Sequence, residues 1–199
     1  MIESNTREKI LKKASDLFYS QGFNNTGMDE ITRIVGVKKP ALYYHFESKN
    51  SLGLAYIEYR STILFEMLES LLKKAKTFDQ YLSYWSTSLI MLAKRDEFFG
   101  CPFTAFSSEL DIAERNYFAK TLRSVETEWL SFQERAFIKF YGKSNQTKRI
   151  ADKILIVHTG CVMLYRASRD LKYLKQLKSG FAEVALDAHN LTNLPTKKI

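Results

Sequence analysis

The chain has 199 residues, 45% of them hydrophobic, with only 8 glycines and 3 prolines, so it can build a sizeable helical core and is neither collagen-like nor low-complexity. Two cysteines exclude a disulfide scaffold and fit a reducing compartment, and no apolar run approaches the roughly 18 residues of a membrane span or a signal core, so a cytoplasmic protein with no membrane partner is expected. A formal charge of +8 permits nucleic-acid binding without establishing it, because residues 1–50 hold only 8 Lys and Arg against 6 Asp and Glu.

The first helix is expected over Thr6–Gln21. Ile10, Leu11, Ala14, Leu17 and Phe18 fall on one face, Asn5 or Thr6 can cap it, and Gly22 ends it. Phe23 anchors the chain before a turn at Asn24–Gly27. A second helix runs over Met28–Val35, with Asp29 and Glu30 at the positive end of its dipole and Gly36 as its stop. In GVKKPALYYHFESK (residues 36–49), Pro40 suits a first helical turn, and Leu42 and Phe46 share an apolar underside. Two short helices joined by a glycine turn and braced by a longer one form a helix-turn-helix.

A long fourth helix starts near Ser48–Lys49 and runs towards Lys76; a fifth covers Thr77–Arg95. Gly100-Cys101-Pro102 breaks the chain, and a short helix is expected from Ser107 to about Ile112. A long helix over Asn116–Tyr141 precedes two last ones, Thr147–Arg169 and Leu171–Leu191, and a polar tail from Thr192 that frays. Three histidines and two cysteines show no metal-ligand spacing, and neither a Gly-rich phosphate loop nor a nucleophile elbow occurs. No cofactor, metal or enzymatic site is therefore expected.

The pattern ILKKASDLFYSQGF, then T-x-M-D-E-I, then GV-x-K-PALYYHF-x-SK resembles the DNA-binding domain of the TetR family of bacterial transcriptional regulators. The resemblance is strong over about the first quarter of the chain. It implies an all-α fold, with a DNA-binding helix-turn-helix domain at 1–48 and a ligand-binding and dimerisation domain at 49–199. It also implies Thr26 as a phosphate contact, Met28 as a base-facing position, and DNA contacts from Lys39, Pro40, Ala41, Tyr43, Tyr44, His45 and Lys49. Chemically, the lysines can neutralise phosphates, Tyr43 and His45 can hydrogen-bond phosphate oxygens, and Pro40 and Ala41 are small enough for close approach to base edges. The family usually has a small hydroxyl residue where this chain has Lys38, and often Thr where it has Gly27. Lys38 thus gives up a helix cap and offers a further phosphate contact.

For the second domain the resemblance implies a cavity between helices, expected here near Phe65, Trp85, Leu89, Cys101, Phe103, Trp129 and His158, for a small apolar inducer. Its final helix pair implies a homodimer, with Ile154, His158, Cys161, Tyr165, Leu177, Phe181 and Val184 at the dimer face. Arg166, Arg169, Lys172, Lys175 and Lys178 are expected as a solvated rim. The expected function is that of a repressor binding a near-palindromic double-stranded operator. The alternatives are an activator of the same fold, electrophile or redox sensing through Cys101, and a helical binding module without DNA function.

Overall fold

In the computed structural model, which describes residues 2–192, the described residues form helices α1 (Ile2–Ser20), α2 (Met28–Val35), α3 (Lys39–His45), α4 (Lys49–Lys74), α5 (Phe78–Lys94), α6 (Pro102–Glu109), α7 (Ile112–Tyr141), α8 (Thr147–Ser168) and α9 (Lys172–Thr192). The all-α expectation holds. The expected tail beyond residue 192 lies outside the described residues. No helix among the described residues is long and apolar enough to cross a membrane.

Three helix starts differ from expectation, each for a local reason. α1 begins at Ile2, so a cap at Asn5 or Thr6 is not what starts it. α6 covers Pro102–Glu109, not Ser107–Ile112, because Pro102 opens the helix that it was expected only to break. α7 begins at Ile112, not Asn116. There the Asp111 carboxylate accepts the Glu114 N–H at 2.8 Å, and the Asp111 N–H donates back to the Glu114 carboxylate at 3.1 Å. A reciprocal cap of the same kind starts α4, between Ser48 and Ser51, and at the start of α5 Thr77 accepts from the Gln80 N–H while the Gln80 side chain accepts from the Lys76 N–H.

The chain divides into two compact units. The first holds the chain up to Leu64 together with Pro102–Val125; the second holds Phe65–Cys101 and the chain from Glu126. A boundary at residue 48 therefore does not mark the edge of the first packing unit. Its core joins Ile10, Phe18 and Phe23 of the N-terminal segment, Ile31 of α2 and Leu42 of α3 to Leu52, Tyr56 and Ile57 of α4, Phe106 of α6 and Phe118 of α7. Phe23 sits at its centre, with Phe18, Phe106 and Phe118 at ring-centroid distances of 5.0, 4.6 and 5.8 Å. Gly53 lies where an added Cβ would come within 3.0 Å of both Phe23 and Phe118, so α4 can approach only without a side chain there.

In the second unit α9 packs against α5 and α8. Trp85 is fully buried among His158 (5.0 Å, stacked), Phe181 (5.1 Å) and Trp129 (5.7 Å). Each such aromatic side chain removed from water contributes about 1.5–3 kcal/mol.

Candidate nucleic-acid interface

α3 is seven residues long, too short to persist alone in water. Its underside holds it in place: Leu42 and Phe46 are buried in the first unit's core. Gly36 supplies the bend before it. In the left-handed conformation (φ 76°), its own N–H and that of Val37 both reach the Thr32 carbonyl at 3.0 and 3.1 Å. Neither helix of the motif has a side-chain cap, since Gly27 and Lys38 occupy the two N-cap positions without accepting a hydrogen bond.

The opposite face of α3 is open. Lys38, Lys39 and Pro40 are exposed, and Ala41 and His45 are half-buried. Tyr43 and Tyr44 are 45% and 73% exposed, large for aromatic side chains on a helix with a buried underside. Tyr44 meets His45 edge-on at 5.1 Å. Met28 is half-buried against the core, so only part of its side chain is available at the surface.

One expected contact, Thr26, is corrected, and Lys49 is engaged within the protein. Thr26 is fully buried, and its hydroxyl donates to the Gly22 carbonyl at 2.8 Å, so it closes the turn and reaches no phosphate. Lys49 folds back over the Phe23 ring at 4.5 Å and donates to the Asn24 carbonyl at 3.4 Å. Burial lowers its pKa, with Glu114 and Glu109 opposing, as befits an ammonium engaged within the protein.

Sequence reasoning missed three residues. Asp29 of α2 pairs with Lys39 at 2.7 Å, and that hydrogen bond holds the lysine above its usual pKa. Arg7 of α1 lies 4.9 Å over the Phe46 ring, beside the end of α3. The Glu109 carboxylate of α6 accepts the Asn24 N–H at 2.9 Å, and its carbonyl accepts the Asn24 side-chain amide. All three are long-range pairings that leave no trace in local spacing.

The expected dimer residues face inward. Ile154, Tyr165, Leu177, Phe181 and Val184 are at most 2% exposed, and His158 is buried against Trp85; only Cys161 is partly exposed. The outer faces of α8 and α9 instead present Ile156, Met163, Leu164 and Leu186, 71%, 48%, 50% and 59% exposed. The reason is register: the more apolar stripe of each helix packs into its own chain. Arg166 and Arg169 are not merely rim charges, because they donate to the Phe99 and Phe98 carbonyls at 2.9 Å.

The residues expected around a cavity lie in different places. Trp85, Leu89, Trp129 and His158 are buried in packed side chains, while Phe103 belongs to the first unit, packed against its core. Cys101 is partly exposed at the end of the 98–101 segment of the second unit. An open groove of about 620 Å³ lies elsewhere in that unit, floored by Phe65 and Phe132 and edged by Glu66, Glu69, Lys73, Glu128 and Arg135.

Residues 10–56 match the model of the bacterial regulatory proteins of the tetR family. Over 46 residues the chain is 44% identical to the biofilm operon icaADBC negative regulator IcaR of Staphylococcus aureus, covering 23% of this chain and 25% of that protein. It is 46% identical over 52 residues to the transcriptional activator FasR of Mycolicibacterium smegmatis, covering 26% and 24%. The chain thus spans about a quarter of the length of these curated relatives. Over almost the whole chain it shares the fold of a TetR-family regulator from Cytophaga hutchinsonii, with a TM-score of 0.82, 18% identity, and 94% and 96% of the two chains covered. The N-terminal helix-turn-helix is therefore that of the TetR family of bacterial transcriptional regulators, carried on a chain with the all-α fold of that family.

Proposed function

We propose that this protein is a cytoplasmic, sequence-specific DNA-binding transcriptional regulator, a repressor that binds a near-palindromic operator as a homodimer and is released by a small apolar ligand. The observation that carries the DNA-binding reading is α3. A helix held from below by Leu42 and Phe46 displays Lys38, Lys39, Pro40, Tyr43 and Tyr44 to solvent, with small Ala41 among them. Cations and hydroxyls of this kind position a helix on phosphates, and small side chains let it approach base edges. The helix-turn-helix through residue 48 reads DNA, and the remainder dimerises and binds the ligand.

The exposed apolar stripe on α8 and α9 supports the homodimer. Ile156, Gly160 and Met163 lie along one face of α8, and a Cβ at Gly160 would meet nothing within 4 Å in its own chain. A second copy covering this stripe gives two recognition helices related by a two-fold axis, which a near-palindromic site matches.

The test is selection of bound duplexes from fragmented genomic DNA, followed by gel shift at two salt concentrations. Specific binding survives competitor DNA and falls steeply with salt. A Tyr43→Phe, Tyr44→Ala variant should weaken binding at least about ten-fold while melting like the parent; unchanged affinity would sink the assignment of α3. An activator is the second reading, favoured by the match to FasR. A reporter fused to the bound fragment decides between them: its expression rises on deletion of a repressor and falls on deletion of an activator.

A further inference from the structure

The ion pair between Asp29 and Lys39 joins the two helices of the helix-turn-helix across their exposed side. Lys39 is the first residue of α3, Asp29 lies in the first turn of α2, and the Nζ–Oδ1 distance is 2.7 Å. Both side chains remain largely in solvent, at 60% and 73% exposure, so the pair is made on the surface that the preceding reading turns towards DNA. Lys38, the neighbouring cation, has no such carboxylate partner among the described residues.

We propose that Asp29 is an intramolecular competitor for the Lys39 ammonium and so sets how much sequence-independent affinity the recognition helix has for nucleic-acid phosphate. The inference rests on the DNA-binding reading above. For Lys39 to move onto a phosphate it must leave Asp29, and the carboxylate it leaves then repels that phosphate. Both effects discount the contact. Lys38 has no tether of this kind and counts as a full phosphate contact. The two adjacent lysines are therefore unequal: one supplies general attraction, and the other is held between protein and DNA. A regulator that must search past many non-specific sites gains from such a limit, because non-specific affinity comes almost wholly from phosphate neutralisation.

The experiment needs no knowledge of the operator. Affinity for a random-sequence 30-base-pair duplex is measured by fluorescence anisotropy between 50 and 300 mM salt. The proteins are the parent, Asp29→Asn, Lys39→Met, Lys38→Met, and Asp29→Asn combined with each lysine change. Releasing Lys39 should add close to one phosphate contact per recognition helix. The slope of log K against log salt then steepens by up to about 0.9 per recognition helix, about 1.8 for a dimer that engages both, and affinity at 0.1 M salt rises about three- to eight-fold per engaged helix. The rise should persist in the Lys38→Met background and shrink below about 1.5-fold in the Lys39→Met background. An equal rise in both backgrounds means that Asp29 acts as a general negative charge, and this overturns the proposal while leaving DNA binding intact. A parent that binds no duplex even at 50 mM salt overturns the DNA-binding reading itself, and this inference with it. Circular-dichroism melting of each variant confirms the fold, and the exposure of both side chains makes unfolding an improbable confounder.

Discussion

His158 makes the stability of the second unit depend on pH in a way that can be calculated. It is 8% exposed and stacked on Trp85, with Trp129 at 5.9 Å. Burial pushes its pKa down from 6.5 to about 4, because a charged imidazole loses its hydration there. The folded protein therefore keeps the ring neutral while the unfolded chain takes up a proton near pH 6.5. Stability from this residue is complete above about pH 6.5, falls as the pH drops through the window from 6.5 to 4, and is lost below about 4. The full difference of about 2.5 pH units corresponds to about 3 kcal/mol, of which about 2 kcal/mol is already gone at pH 5.

The assay is urea unfolding followed by tryptophan fluorescence, at pH 7.5 and pH 5.0, for the parent and for His158→Met. Methionine fills a similar volume without titrating, and other groups cancel in the difference between the two proteins. The parent should lose about 2 kcal/mol more than the variant between the two pH values. Parallel losses, within about 0.5 kcal/mol, would show that His158 is not held neutral by burial and would refute the reasoning.

Lys38→Ser restores a side-chain acceptor at an N-cap that lacks one, and should raise stability by about 0.5–1 kcal/mol in urea unfolding while flattening the salt dependence of DNA binding. Glu109→Ala removes the acceptor of the Asn24 N–H and should destabilise the first unit by about 1 kcal/mol, whereas Glu109→Gln, which keeps an acceptor, should restore most of that loss in thermal melts. Gly22→Ala meets a left-handed backbone (φ 102°) and places its Cβ 2.7 Å from the Glu109 carboxylate, so it should melt earlier than Gly27→Ala, where nothing lies within 4 Å. An Ile156→Glu, Leu186→Glu variant should run as a 23.1 kDa monomer in light scattering at concentrations where the parent is a dimer.

Where local chemistry decides, the sequence was readable. Gly36 and Pro40 set where α3 begins, and Leu42 and Phe46 fall on one face by spacing alone, and both are buried. The capping pair of Asp111 and Glu114 was equally local, but the apolar run that begins later at Phe118 drew the expected helix start away from it. Site residues fared less well, because spacing gives a face without saying which way the face points. On α8 and α9 the strongest apolar stripe, through Ile154, Tyr165, Leu177 and Phe181, reads equally as a dimer surface or a core, and it is the core. Thr26 and Lys49 are polar residues in the right stretch, but a carbonyl at Gly22 and a ring at Phe23 capture them. Such tertiary partners have no signature within a few residues of the side chain.

The packing of Trp85, Trp129, His158 and Phe181 constrains any ligand response. Trp85 lies 5.0–5.7 Å from each of the other three ring centroids, and Trp129 lies 5.9 Å from His158, so these side chains pack directly on one another. An apolar ligand entering there must first part rings whose burial stabilises the unit. It would bind a minor state, and its apparent affinity would be weaker than its intrinsic affinity by that state's population. The same interior holds two donors, Trp85 Nε1–H and the Gln133 side-chain amide, buried without a hydrogen-bond partner among the described residues, although the Gln133 carbonyl accepts from Tyr81 at 3.0 Å. An unsatisfied buried donor costs about 1–3 kcal/mol, so a ligand bringing an acceptor recovers part of the work of opening. The groove at Phe65 and Phe132 imposes no such opening cost, but it is open to solvent and edged by charges of both signs. A compound bound in the groove touches the core through Phe132, and it can shift the protein between two states only as far as its affinity for the two differs, however tightly it binds.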